Sequence, residues 1–108
     1  MKIVSITDEE ILFDNGNTIT FDHESDCCEH NYADFEQLDD IARATDFDPN
    51  LEFVPQGDVG FLFGNTPSKM FFVPCYSCQN GYYTRALDVY YNTGDVHKVL
   101  SMDCQFED

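Results

Sequence analysis

The sequence predicts an α+β fold, a mostly antiparallel β-sheet of about six to seven strands with one main helix near residues 34–45. Three observations carry this expectation. Short runs rich in β-branched and aromatic residues, punctuated by Gly, Asn and Pro, occupy the N-terminal quarter and the C-terminal half. One segment between them switches to apolar spacings of three and four residues. The 108 residues include ten Phe and six Tyr and are 43% hydrophobic, enough for one ordinary core and too few for two, so residues 1–108 read as a single domain.

Taken in order, KIVSI (2–6) and EILFD (10–14) read as strands, and NGN leads to a third, TITFDH (18–23). The connection between the last two sets their register. A two-residue loop places Phe13 opposite Thr18 and Ile11 opposite Thr20, which mixes apolar and polar partners. A three-residue loop, Asn15-Gly16-Asn17, pairs Phe13 with Ile19 and Ile11 with Phe21, and it is the register expected here, with Asn17 left-handed. The same alternation turns His23 toward the face of Ile19 and Phe21.

Phe35, Leu38, Ile41 and Ala42 then follow helical spacing, with Asp34 as the expected N-cap, Gln37 three residues on, and Pro49 barring continuation. LEFV (51–54) reads as a short strand before the turn PQGD. The remainder predicts an antiparallel meander of VGFLF (59–63), KMFFVPCYSC (69–78), YYTRALDVYYN (82–92) and VHKVLSMDC (96–104). Asn80-Gly81 is the strongest hairpin signal. Pro74 inside a strand predicts an edge, a bulge or a break at that point.

The charge is unusual. Twenty-one acids against five Lys and Arg leave a formal net charge of -16, and fifteen of the acids lie between Asp8 and Glu52, where Arg43 is the single formal cation. Such a surface repels nucleic-acid phosphates and anionic membranes, so a charge-steered partner should be a cation or a basic protein. Acidity also serves solubility alone, and mimicry of nucleic acid is a third use. No signal-peptide pattern opens the chain, and no run approaches the roughly 18 apolar residues of a membrane span, so a cytoplasmic location is expected. Five cysteines, an odd number, fit reduced thiols better than a disulfide framework.

The densest chemistry lies in HESDCCEHNYADF (23–35). His23, Asp26, Cys27, Cys28 and Glu29 are all of metal-ligating type, and zinc accepts thiolate, imidazole and carboxylate together. Adjacent cysteines suit one tetrahedral ion poorly, however, because structural zinc sites space them two to four residues apart. A reactive thiol is an alternative, as is a strand-to-helix corner in which these residues only pack and satisfy backbone groups. Cys75 and Cys78 form a CxxC, but residues three apart in a regular strand face opposite ways, so they share an ion only if the strand bends. Asp46, Asp48, Asn50 and Glu52 open with calcium-loop spacing, then Leu51 and Gly57 stand where that loop requires Gly and Glu. No phosphate cradle, nucleophile elbow or basic patch is present, and the reading leans away from an enzyme.

HESDCCE, carrying His23, Asp26, Cys27, Cys28 and Glu29 in the form HxxDCCE, together with Asn80, Gly81, Tyr82 and Tyr83 in NGYY, resembles an uncharacterised family of small proteins from bacteria and their phages. The resemblance spans roughly residues 3–90. It implies a bacterial or phage origin and no activity, and it favours the 23–29 stretch over the CxxC as the place to look. If the two motifs meet, Tyr82 or Tyr83 covers the cysteine corner. The function expected is thus an acidic, non-enzymatic binding or accessory module, with a zinc or thiol site at His23, Asp26, Cys27 and Cys28, or a purely structural motif, as alternatives.

Overall fold

Alternation along the strands decides which face of each is buried, and it assembles the chain into two layers. The computed structural model describes residues 1–22, 30–38, 40–57, 59–65, 69–78, 86–95 and 97–106, with backbone alone at His30, Cys78 and Phe106. In chain order the elements are β1 (Ile3–Ile6), β2 (Glu10–Phe13), β3 (Thr18–Asp22), β4 (His30–Ala33), a 3-10 turn (Phe35–Gln37), α1 (Asp40–Ala44), β5 (Glu52–Gln56), β6 (Gly60–Asn65), β7 (Lys69–Cys78), β8 (Ala86–Asn92), β9 (His97–Asp103) and β10 (Gln105–Phe106). One sheet runs β1-β2-β3-β8-β9, and the other runs β10-β7-β6-β5 with β4 also paired to β7. The fold is α+β and mostly antiparallel, as the sequence predicts.

The inward residues of the two sheets make one core. Ile11, Phe13, Ile19, Leu87, Val89 and Tyr91 come from the first sheet, and Phe53, Phe61, Phe63, Val73 and Cys75 from the second, all nearly or wholly excluded from solvent. Aromatic rings cross the layers. Phe47, on the segment between α1 and β5, stands edge-on to Phe13 at 5.7 Å and packs on Phe63 at 5.5 Å, while Tyr91 meets both Phe13 and Phe53 at 6.4 Å.

Several details depart from the sequence expectations. The β2–β3 register is Ile11↔Ile19 and Leu12↔Thr18, two residues along β3 from the expected pairing of Ile11 with Phe21 and Phe13 with Ile19. The loop is therefore Asp14-Asn15-Gly16, closed by Phe13 N–H to Asn17 O at 2.9 Å and Gly16 N–H to Phe13 O at 3.0 Å. Gly16, at φ 91°, takes the left-handed position assigned to Asn17, and no non-glycine residue among those described has positive φ. Glycine adopts that conformation without a Cβ penalty, which is why the turn shifts by one residue. The inward face is unchanged, because the new register still sets odd positions against odd.

The helix near 34–45 is divided into the 3-10 turn and α1, with Leu38 extended at ψ 134° between them. The break resets the helical phase, so Phe35 and Ala42 are buried while Ile41 is 68% exposed. Asp34 makes no capping bond to the backbone; its carboxylate instead accepts a hydrogen bond from Gln37 Nε2 at 3.1 Å. Strands number ten among the described residues, more than six to seven: each of the eight runs read as strands contains one, and β4 and β10 are short additions on β7. The meander is broken as well: β7 and β8, on either side of Asn80-Gly81, lie in different sheets and do not pair. Pro74 fits its expectation of an edge. Its carbonyl accepts from Asp34 N–H at 2.8 Å, where β4 has just ended, so its missing N–H falls beyond the pairing on that side.

Candidate functional site

His23, Asp26, Cys27, Cys28 and Glu29, and equally Tyr82 and Tyr83, lie outside the described residues. Their anchors are described. Before 23–29, Asp22 pairs with Asp88 in the first sheet; after it, His30 pairs with Cys78 in the second. Residues 78 and 86 bound the segment 79–85 in the same two sheets. Both segments thus start and finish at strand ends that neighbour one another.

Asn31 ties those ends together. It is 1% exposed, accepts a hydrogen bond from Ser77 Oγ on β7, and donates through Nδ2 to Ala86 O of β8 at 3.0 Å. A buried amide must satisfy its polar atoms, and here it does so by bridging the two sheets. The sequence reading passed over Asn31 and Ser77. Their signal is weak, since polar residues in short strands more often face water.

The remaining part of the 23–35 stretch does form a site-like surface. Tyr32, Ala33, Asp34, Phe35 and Glu36, with Phe21 from β3 and Asp8 and Glu9 from the β1–β2 turn, line a cavity of about 300 Å³. Phe35 is fully buried and packs on half-buried Phe21 with ring centroids 5.7 Å apart. Tyr32 pairs with Tyr76 at 5.8 Å. Asp8, Glu9 and Glu36 are exposed, and Asp34 is half-buried. Aromatic surface and carboxylate thus meet in one depression.

A larger and more open depression of about 650 Å³ lies among Met1, Asp46 to Glu52, Gly64 and Asn65. Its polar groups are engaged. The Met1 ammonium donates to Asp46 Oδ1 at 2.9 Å and to Phe47 O at 2.7 Å, which holds the Asp46 carboxyl below its ordinary range, chiefly through that hydrogen bond and then through the positive charge itself. Asn65 accepts from Asp48 N–H and donates to Asp46 O, and Asp48 Oδ1 accepts from Asn50 N–H at 2.9 Å. Pro49 is held from the core side, its carbonyl accepting from the Tyr91 hydroxyl at 2.6 Å while that hydroxyl accepts from Asn17 Nδ2 at 3.0 Å. Residues with calcium-loop spacing therefore serve as a strap between the N-terminus and β6. Among the described residues, no group of three or more His, Cys, Asp or Glu side chains is placed to hold a metal ion.

Of the CxxC, Cys75 faces the core and finds another partner. The chain leaves the first sheet after Asp103 and joins the second at Gln105, which pairs in parallel with Tyr76. Cys104, at the crossing, is brought beside Cys75, and both are free, fully buried thiols. Hydrogen bonding to Cys104, reinforced by burial, pushes the Cys75 thiol far up from its ordinary range. That is the environment of a structural thiol, not of a nucleophile. The Cys78 side chain lies outside the description.

Among the described residues, no helix is long and apolar enough to cross a membrane. No family model, curated protein or solved structure matches this chain.

Proposed function

We propose that the protein is a non-enzymatic binding or accessory module of bacterial or phage origin that acts in the cytoplasm by docking a basic protein on its acidic surface. The observation that carries this reading is the net charge of -16, with fifteen carboxylates between Asp8 and Glu52. The ion-pair pattern supports it: among the described residues the single salt bridge joins the Met1 ammonium to Asp46, so the other described carboxylates carry no ion pair to a described cation. Such charge raises encounter rates with a basic partner and disfavours acidic ones. The test is capture from a bacterial lysate on immobilised protein, identification of the retained protein, and titration of that purified protein from about 0.05 to 0.5 M salt. A basic partner whose affinity falls steeply with salt supports the reading. Retention that ignores salt, or no retention, defeats it.

A second reading keeps His23, Asp26, Cys27, Cys28 and Glu29 as a zinc or thiol site, with Tyr82 or Tyr83 as its cover. The resemblance to the HxxDCCE family and the paired anchors of 23–29 and 79–85 support it. Elemental analysis of the purified protein, and of Cys27→Ser and Cys28→Ser variants, decides between this and a structural corner. A stoichiometric metal lost in either variant supports the site; no metal, with unaltered thiol reactivity, leaves the residues a role in folding alone.

A further inference from the structure

We propose that the cavity between Asp8, Glu9, Phe21, Tyr32, Asp34 and Glu36 is the seat of one arginine side chain of the basic partner. This deepens the acidic-module reading and rests on it for the source of that arginine.

Three properties of the cavity converge on a guanidinium. Its volume of about 300 Å³ is at the lower end of binding pockets, which fits one side chain better than a larger organic ligand. Its apolar lining is largely aromatic: half-buried Phe21, backed by buried Phe35, and half-buried Tyr32. Ring faces carry negative potential and attract a cation, and a planar, weakly hydrated guanidinium stacks on them more readily than an ammonium does. The charged residues of the lining are all acidic and come from two separate segments, Asp8 with Glu9 and Asp34 with Glu36. Carboxylates match the fork of arginine donors.

The contrast with the larger depression sharpens the assignment. There, an acid-lined groove already contains a cation of the chain itself, the Met1 ammonium on Asp46. In the smaller cavity, among the described residues, none of the four carboxylates forms an ion pair; only Asp34 has a side-chain partner, the neutral Gln37 amide. A guanidinium entering the cavity meets carboxylates that carry no cationic partner among the described residues. Of the two depressions, this one is therefore the better seat for an external positive side chain.

The experiment is a titration of the 15N-labelled full chain, followed by NMR, with arginine capped at both ends, and in parallel with equally capped citrulline and lysine. Citrulline has the shape of arginine without its charge. Saturable shifts confined to Asp8, Glu9, Phe21 and residues 32–36, absent with citrulline and weaker with lysine, are the expected result. The double variant Asp34→Asn, Glu36→Gln should weaken arginine at least fivefold, whereas Asp48→Asn, Glu52→Gln at the other depression should leave it unchanged. All four positions carry polar, partly or fully exposed side chains, and retention of the wild-type spectrum verifies folding. Shifts spread evenly over the acidic surface, citrulline or lysine binding as well as arginine, or indifference to the double variant overturns the assignment. Failure of the two readings is separable. If the double variant binds the captured basic protein as wild type does, the pocket assignment falls and the acidic module stands. If wild type takes capped arginine at this cavity but binds no basic protein, the reverse holds.

Discussion

Hydrogen bonding to Cys104 and burial hold Cys75 as a neutral thiol, and this one residue carries a pH signature. Its folded pKa lies above the unfolded value, so the folded state binds the proton more tightly. The associated stability is complete below the ordinary thiol pKa of about 8.5 and is lost as pH rises above it. Denaturant midpoints should be flat from about pH 6 to 8 and fall thereafter, and Cys75→Ala should flatten that fall up to about pH 10, where Tyr91, itself raised mainly by burial, begins to contribute. The same variant should cost about 1–2 kcal/mol at neutral pH by leaving a small void. Iodoacetamide followed by mass spectrometry should modify Cys75 and Cys104 only on unfolding. Gly60 is constrained in a different way. A Cβ there would stand 2.2 Å from the Val73 carbonyl oxygen, a backbone atom held in the β6–β7 ladder. Gly60→Ala should therefore destabilise by about 1–3 kcal/mol in urea unfolding, by overpacking.

At the scale of elements, the β2–β3 hairpin and the link between sheets are the informative cases. Gly16 sits at φ 91° with open space around its missing Cβ, so Gly16→Ala meets no clash and should lose only backbone strain, about 1–2 kcal/mol. Asn17→Ala tests a different quantity, the hydrogen bond to the Tyr91 hydroxyl. Asn31 joins β4 to Ser77 and Ala86, and Asn31→Ala removes both bonds at a cost of about 1–3 kcal/mol. Hydrogen exchange in that variant should rise first at the β4 and β8 ends and later, if at all, at β2 and β3. Equal acceleration throughout would show that Asn31 supports the whole core and not this junction.

For the molecule as a whole, charge sets the behaviour. The Asp46 carboxyl is held low by the Met1 ammonium, so its contribution is present above the ordinary carboxylate range and is lost as pH falls through the lowered value. Asp46→Asn should shift the acid-unfolding midpoint upward slightly, since the carboxylate is exposed and screened by solvent. Added salt should raise thermal stability near neutral pH by screening the repulsion of a -16 chain, and a thermal melt at two ionic strengths checks it. The candidate cavity belongs to this scale, because its carboxylates come from the β1–β2 turn and from the β4–helix junction, which meet only when the sheets are packed.

The sequence by itself determined the class of fold, the strands of alternating apolar residues, the inward face of the first hairpin and the acid excess. These are local or summed properties, readable from periodicity and composition. It placed Pro74 correctly at the limit of a pairing for the same reason, since a missing N–H is a property of the residue. Only the tertiary structure decided that β7 and β8 enter different sheets, that Cys75 partners Cys104, that Asn31 bridges the layers, and that Asp8 and Glu9 line one cavity with Asp34 and Glu36. Each depends on contacts between residues far apart in the chain, and their free energy comes from packing the aromatic core, which no short window of sequence contains.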